Sequence, residues 1–122
     1  MTVKQEVERT PGSTARTKIH RIPDRAVHSS VVRDEILDAG LVAHVVVIDQ
    51  GQPFIIPVAY ARSDDDVLFH GSSASRLFKQ LATGEQSTCL SVTLLDGLVL
   101  ARSAFESSMN YRSVMVLGIP RL

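Results

Sequence analysis

Between Leu41 and Arg62 the chain carries two long apolar runs separated by only four polar residues, and this restricts the fold more than any other feature. The first run, Leu41 to Ile48, is almost wholly apolar and rich in valine. The second, Pro53 to Arg62, reads Phe54-Ile55-Ile56-Pro57-Val58-Ala59-Tyr60-Ala61 at its centre. β-Branched side chains suit the pleated strand, and Asp49-Gln50-Gly51-Gln52 has the composition of a hairpin turn. Neither run alternates polar with apolar residues, as a strand with one wet face would. Such strands belong to a barrel or to a subunit interface.

The rest of the chain extends this pattern. Asp64-Asp65-Asp66 reads as a turn, Val67 to His70 as a short strand, and Ser73 to about Ala82 as a helix stopped at Gly84. Three further strands are expected: Ser87 to Leu95, then Leu98 to Phe105 across an Asp96-Gly97 hairpin, then Tyr111 to Gly118. Ahead of them, Ser29 to Ala39 has helical spacing, with Val32, Ile36 and Leu37 on one face, Asp34, Glu35 and Asp38 on another, and Gly40 at its end. Six strands with short connections predict a mainly β fold, a small closed or half-open β-barrel with a few helices. With no Trp and 5% aromatic residues, aliphatic packing must fill its core. The 122 residues suffice for one domain. Residues 1–18 are polar and surround Pro11-Gly12-Ser13, so they read as a flexible tail before a domain spanning 19–122.

Charge narrows the function. Lys plus Arg equals Asp plus Glu at 13 each, so no global field favours nucleic acid or an anionic membrane. No apolar run has spanning length and no signal peptide opens the chain, so a cytoplasmic location is expected. Cys89 stands alone in a strand-like run and reads as a buried, inert thiol. The spacing of His20, His28, His44 and His70 fits no zinc pattern, and no metal is expected.

Three places carry chemistry. Val67-Leu68-Phe69-His70-Gly71-Ser72-Ser73-Ala74-Ser75-Arg76-Leu77-Phe78-Lys79 is a strand, a small-residue turn and a helix start, an arrangement that can hold a phosphate. Arg76 can grip it through two parallel bonds and Lys79 acts as a point charge. The same residues also make a plain helix cap, with Ser73 as N-cap. Pro57 cannot donate to a ladder, so it marks an edge strand or a bulge. The backbone of Ile56 and Val58 then either meets a flat heteroaromatic ring or forms an edge protected against aggregation. Last, Arg102, Ser103, Asn110, Arg112 and Ser113 sit among Ala101, Ala104, Phe105 and Tyr111, a pattern that favours a polar cavity over a wholly solvated face.

Pro53 to Tyr60, Leu68-Phe69-His70-Gly71 with Ser75-Arg76, Asp96-Gly97-Leu98-Val99-Leu100-Ala101-Arg102-Ser103-Ala104-Phe105 and Asn110-Tyr111-Arg112-Ser113 together resemble the pyridoxamine 5′-phosphate oxidase-like family. More narrowly they resemble its flavin-nucleotide-binding branch, related to the nitroimidazole-resistance proteins, over residues 19–118. The resemblance implies an FMN-binding split barrel of Greek-key type, working as a homodimer with FMN between the subunits. It implies phosphate contacts from Ser75, Arg76 and Lys79, with Gly71 in the same turn. Ile56, Pro57 and Val58 would line the ring, and Tyr60 would lie near the ribityl chain. His70 corresponds to a histidine close to the flavin, and is the candidate catalytic residue. Ser103, Tyr111, Arg112 and Ser113 would contribute from the last strands. Members of the branch usually continue well past the Tyr-Arg-Ser strand, so this chain looks short at its C-terminus. They also often carry histidines where Glu106-Ser107-Ser108 stand. The implied activity is a flavin-dependent oxidoreductase acting on a small molecule. A non-catalytic flavin-storage module, or the same fold with a deazaflavin or a haem, are the other readings.

Overall fold

The computed structural model describes residues 1–5 and 10–122, and for Lys4 and Gln5 the backbone alone. Six strands close into one barrel in the order β1-β4-β3-β2-β5-β6. They are β1 (Thr2–Gln5), β2 (Val42–Asp49), β3 (Gln52–Ser63), β4 (Asp66–Phe69), β5 (Thr88–Val99) and β6 (Ser108–Arg121). Helix α1 (Ser30–Ala39) precedes β2, and α2 (Arg76–Leu81) lies between β4 and β5. β2, β3 and β4 form a meander, and β1 returns to lie beside β4, which is the Greek-key order. The expected mainly β barrel is the fold observed.

The β2–β3 hairpin forms as its sequence predicts. Gln50 and Gly51 both have positive φ, 51° and 78°, the combination a two-residue turn needs to match the strand twist. Ala43, Val45 and Val47 point inward and are buried, facing Val58, Ile56 and Phe54 across the pair. Inside the barrel they meet Val67, Phe69, Leu90, Val92 and Val116, so the core is mostly aliphatic, with Phe69 and Phe78 its buried aromatic residues.

The tail read over residues 1–18 is corrected at its start, where Thr2–Gln5 is a barrel strand. Val3 stands opposite Val67 on one side and Pro120 on the other, and is fully buried. One valine among polar residues gives no periodic signal. What makes it a strand is the pair of open edges that β4 and β6 offer from more than sixty residues away. Residues 6–9 of the expected tail lie outside the described residues. Beyond them, the His28 ring nitrogen donates to the Pro11 carbonyl at 2.7 Å.

Three other expectations change. Asp96-Gly97 is not a hairpin turn: β5 continues to Val99, with Leu95 opposite Tyr111, Gly97 opposite Asn110, and Asp96 left unpaired as a bulge. The separate strand expected from Leu98 to Phe105 is therefore absent, and its residues after Val99 form a loop with a short 3₁₀ turn at Ala104–Glu106. α2 is shorter than expected, and its N-cap is Ser75, whose Oγ accepts from the Phe78 amide at 3.3 Å, not Ser73. Gly40 does end α1, but its φ is −78°. The glycine is needed for space, since a Cβ there would run into the Tyr60 hydroxyl and Val92.

Removing two methyl groups from a fully buried Val3 tests the closure. Val3→Ala is expected to lower the unfolding free energy by about 2 kcal/mol in urea titration. A loss below about 0.5 kcal/mol, the level of an ordinary surface change, would mean that residues 2–5 do not close the barrel.

Candidate functional site

The site is built from the free edge of β3 and one face of α2. β2 covers β3 from Gln52 to Ala59, but β4 pairs only with Tyr60 to Ser63. Residues 52–59 of β3 therefore have no strand on their second side, and Pro57 lies within this open stretch. The edge position inferred from the proline is the one observed. Side chains alternate along it: Ile56, Val58 and Tyr60 are half-buried and turn inward, while Ile55, Pro57 and Ala59 are exposed.

α2 is fixed at one end of this edge by aromatic packing. Phe78 packs edge-on against Phe69 of β4, with ring centroids 5.8 Å apart. Gly71 passes so close to the Phe78 ring that a Cβ there would collide with it. With Leu77, Phe78 and Leu81 facing the core, Arg76, Lys79 and Gln80 share the opposite face at helical spacing. They line an open depression of about 260 Å³ together with Asp49 and Ala74.

Its charges are ordered. Arg76 Nε lies 3.4 Å from Asp49 Oδ2, and the guanidinium stacks 4.3 Å from the centre of the Phe54 ring. Gln80 donates its amide to the other Asp49 oxygen at 3.1 Å. Among the described residues, the two terminal nitrogens of Arg76 and the Lys79 ammonium have no polar partner. Two cations and one carboxylate thus surround the depression. The six-residue helix adds little, and the side chains supply the attraction for an anion.

The other candidate residues divide. Ser75 is occupied as the α2 cap. Tyr60 hydrogen-bonds through its hydroxyl to the Leu37 carbonyl, tying β3 to the end of α1; burial, and then the nearby Asp38 charge, push its phenol up. His70 and Gly71 are exposed in the turn after β4. Ser103, Tyr111, Arg112 and Ser113 belong to the β5–β6 arm, separated from β3 in the barrel order by β2 and β5. There Arg112 grips Asp96 with two bonds, Nε at 3.0 Å and Nη2 at 2.9 Å. Those hydrogen bonds hold the Asp96 carboxyl below the usual carboxylate range and raise Arg112. Asp49, Phe54 and Gln80 were not singled out from the sequence. Gln80 was findable four residues after Arg76, whereas Asp49 looked like a turn residue and reaches the site only through the fold.

With this arrangement in place, comparison with known proteins decides the family. The family model described as pyridoxamine 5′-phosphate oxidase matches residues 30–122. The chain belongs to the pyridoxamine 5′-phosphate oxidase family. Among solved structures, this family member is similar to the flavocytochrome Anf3 from Azotobacter vinelandii, with 46% identity and a TM-score of 0.79, over 87% of this chain and 49% of that one. It is similar to the FAD and heme binding protein from Mycobacterium smegmatis, with 38% identity and a TM-score of 0.71, over 76% and 45% of the two chains. It shares its fold with a structure described as a 5-nitroimidazole antibiotic resistance protein of Bacteroides thetaiotaomicron, at 19% identity and a TM-score of 0.62, over 76% and 55%. The chain spans about half the length of the first two. A search of curated proteins found no significant match. Among the described residues, no helix is long and apolar enough to cross a membrane, and no three His, Cys, Asp or Glu side chains group as a metal site.

The Asp96–Arg112 pair makes a pH prediction. Because the folded-state value of Asp96 is depressed, its contribution to stability is present above the unfolded carboxylate value of about 4 and is lost as pH falls through the lower folded value. Arg112→Ala is expected to return the Asp96 carboxyl to the ordinary range in an NMR titration. An unchanged titration would mean that the pair does not form in solution.

Proposed function

We propose that this chain is a flavin-nucleotide-binding module of an oxidoreductase, working as a homodimer on a small-molecule substrate. The observation that carries the reading is the continuity between the open edge of β3 and the depression around Arg76. The backbone groups that alternate residues of the 52–59 edge turn away from β2, the Pro57 carbonyl among them, suit the hydrogen-bonding rim of a flat heteroaromatic ring. The free ends of Arg76 and Lys79 suit its phosphate. The residues present therefore fit a flavin, and two relatives of similar sequence are named for a flavin. When bound, the flavin supplies hydride or electron transfer. The chain's own residues hold it: Arg76 and Lys79 neutralise phosphate, the β3 edge orients the ring, and exposed His70 positions a substrate or tunes the ring.

What supports the homodimer is the apolar surface left exposed. Leu95, Leu98, Met109, Tyr111 and Met115 on the β5–β6 arm and Ile55 on β3 are large, apolar and exposed. A second copy covering this face would bury them and bring Ser103, Tyr111 and Ser113 toward a ligand bound on the first. A haem is the second reading, favoured because the same two relatives are a flavocytochrome and an FAD and heme binding protein. Exposed His70 and His44 offer the imidazole that a haem iron takes.

An absorption spectrum of the purified protein, followed by flavin titration, tests the cofactor. Flavin bands or saturable fluorescence quenching are expected; a haem band near the Soret position alone would replace the flavin reading, and no uptake of either would end both. Arg76→Ala is expected to weaken flavin-nucleotide binding by about 1.5–3 kcal/mol, the worth of a charged hydrogen bond. Unchanged affinity would remove Arg76 from the phosphate site. Met115→Asp is expected to give a monomer in sedimentation velocity, and a persistent dimer would place the interface elsewhere.

A further inference from the structure

We infer that His44 makes the association of two copies of this chain pH-dependent: the dimer forms while both imidazoles are neutral and separates once they are protonated. The inference rests on the homodimer reading and adds where the second copy sits and what regulates it. Ala43, Val45 and Val47 of β2 are buried in the core, so Val42, His44, Val46 and Ile48 turn outward. The strand register extends that outer face. His44 stands opposite Pro57 of β3 on one side and Ser91 of β5 on the other, and Ser91 stands opposite Met115 of β6. His44 is therefore exposed within the outer face of a four-stranded sheet, on one of its two inner strands.

That face is uncharged. No Asp, Glu, Lys or Arg occurs in residues 42–48, 53–60, 87–95 or 113–119, although 21% of the chain is charged. Around the imidazole, β3 presents Ile55, Pro57 and Ala59, and β5 presents Cys89, Ser91 and Thr93. The Cys89 thiol is the other titratable group among these neighbours, and a thiol gains no charge as pH falls. Asp49 ends β2, and α2 brings Arg76 and Lys79 to it there, on the depression beyond the sheet face. Assemblies of identical chains are mostly two-fold symmetric, so such a surface must complement itself. A charged face would oppose like charges across the axis, whereas this one opposes none. Four strands about 4.8 Å apart and seven residues rising about 3.3 Å each give it a flat footprint of roughly 450 Å². Exposed Leu95, Leu98, Met109 and Tyr111 on the β5–β6 arm extend it toward the ~800 Å² per partner of a standard interface.

An imidazole in water takes up a proton near pH 6.5. A second copy closed over this face would seal that proton among apolar side chains, and neither copy offers a carboxylate there to pair with it. Burying an unpaired charge is costly, so each copy must shed the proton on associating. The dimer is therefore at full strength above pH 6.5 and weakens as pH falls below it. Each imidazole raises the dimer Kd by about tenfold between pH 7.5 and 5.5, and the two together by roughly a hundredfold. Ordinary carboxylates titrate near pH 4, so the ion pairs of the fold persist across this window.

The test is sedimentation equilibrium of the full chain at pH 7.5 and 5.5, with circular dichroism to check that the fold is unchanged. The wild-type chain is expected to dimerise at pH 7.5 and to lose roughly a hundredfold in affinity at pH 5.5. His44→Gln, neutral at both pH values, is expected to dimerise equally at both. His44→Lys, charged at both, is expected to be monomeric at both. A wild-type dimer whose Kd does not change with pH overturns the inference and leaves the homodimer standing. So does a pH dependence that survives in His44→Gln, or a dimer that persists in His44→Lys. A wild-type chain that is monomeric at both pH values ends the inference and the homodimer together.

Discussion

The fold depends on closure of the sheet by a strand of four residues. β1 enters between β4 and β6, and the Val3 side chain is sealed between Val67 and Pro120. Without it, two strand edges would face water with unpaired backbone groups and the aliphatic core would be open on that side. Met1 extends the same contact: its nitrogen donates to the Phe69 carbonyl at 2.7 Å, while the Phe69 amide donates to the Met1 carbonyl at 3.0 Å. The closing strand thus also holds the end of β4, from which the chain departs toward the candidate site.

From that point one packing interaction positions the chemistry. Phe69 at the end of β4 meets Phe78 of α2 edge-on, and Gly71 lets the turn pass against the same ring. The orientation of α2 follows from burying Phe78, and with it the direction of Arg76, Lys79 and Gln80. Asp49 and Phe54, at the two sides of the β2–β3 turn, then receive Arg76 by charge and by stacking. A cationic depression is thereby joined to an unpaired strand edge.

On the other side of the molecule an ionic frame fixes α1. Arg33 reaches Asp34 and Asp65, and Arg62 reaches Asp38 with both Nε and Nη2. These bonds, with the Tyr60 hydroxyl on Leu37, lash α1 to the β3–β4 turn. The exposed pairs add little stability individually. Their shared effect is geometric, since α1 then leaves the outward face of Ile55, Pro57 and Ala59 uncovered.

The sequence by itself determined the class of fold and the chemical types at the site. Valine-rich runs around a Gln-Gly turn specify β2 and β3 because side-chain branching and turn geometry are local properties. Pro57 marked an open edge because a missing amide hydrogen cannot be repaired by context. Arg76 and Lys79 were legible as a cationic pair from their helical spacing. Only the tertiary structure decided the rest. Asp96-Gly97 has the strongest local turn signal in the chain, yet the long register between β5 and β6 absorbs it as a bulge and pairs Asp96 with Arg112. Thr2–Gln5 has almost no local signal, yet it is a strand because two distant edges require one. Asp49 reads locally as a turn residue and becomes part of the site because folding places α2 beside it. In each case the deciding partner lies far away in sequence, and local propensity, worth well under the energy of closing a barrel, yields to it.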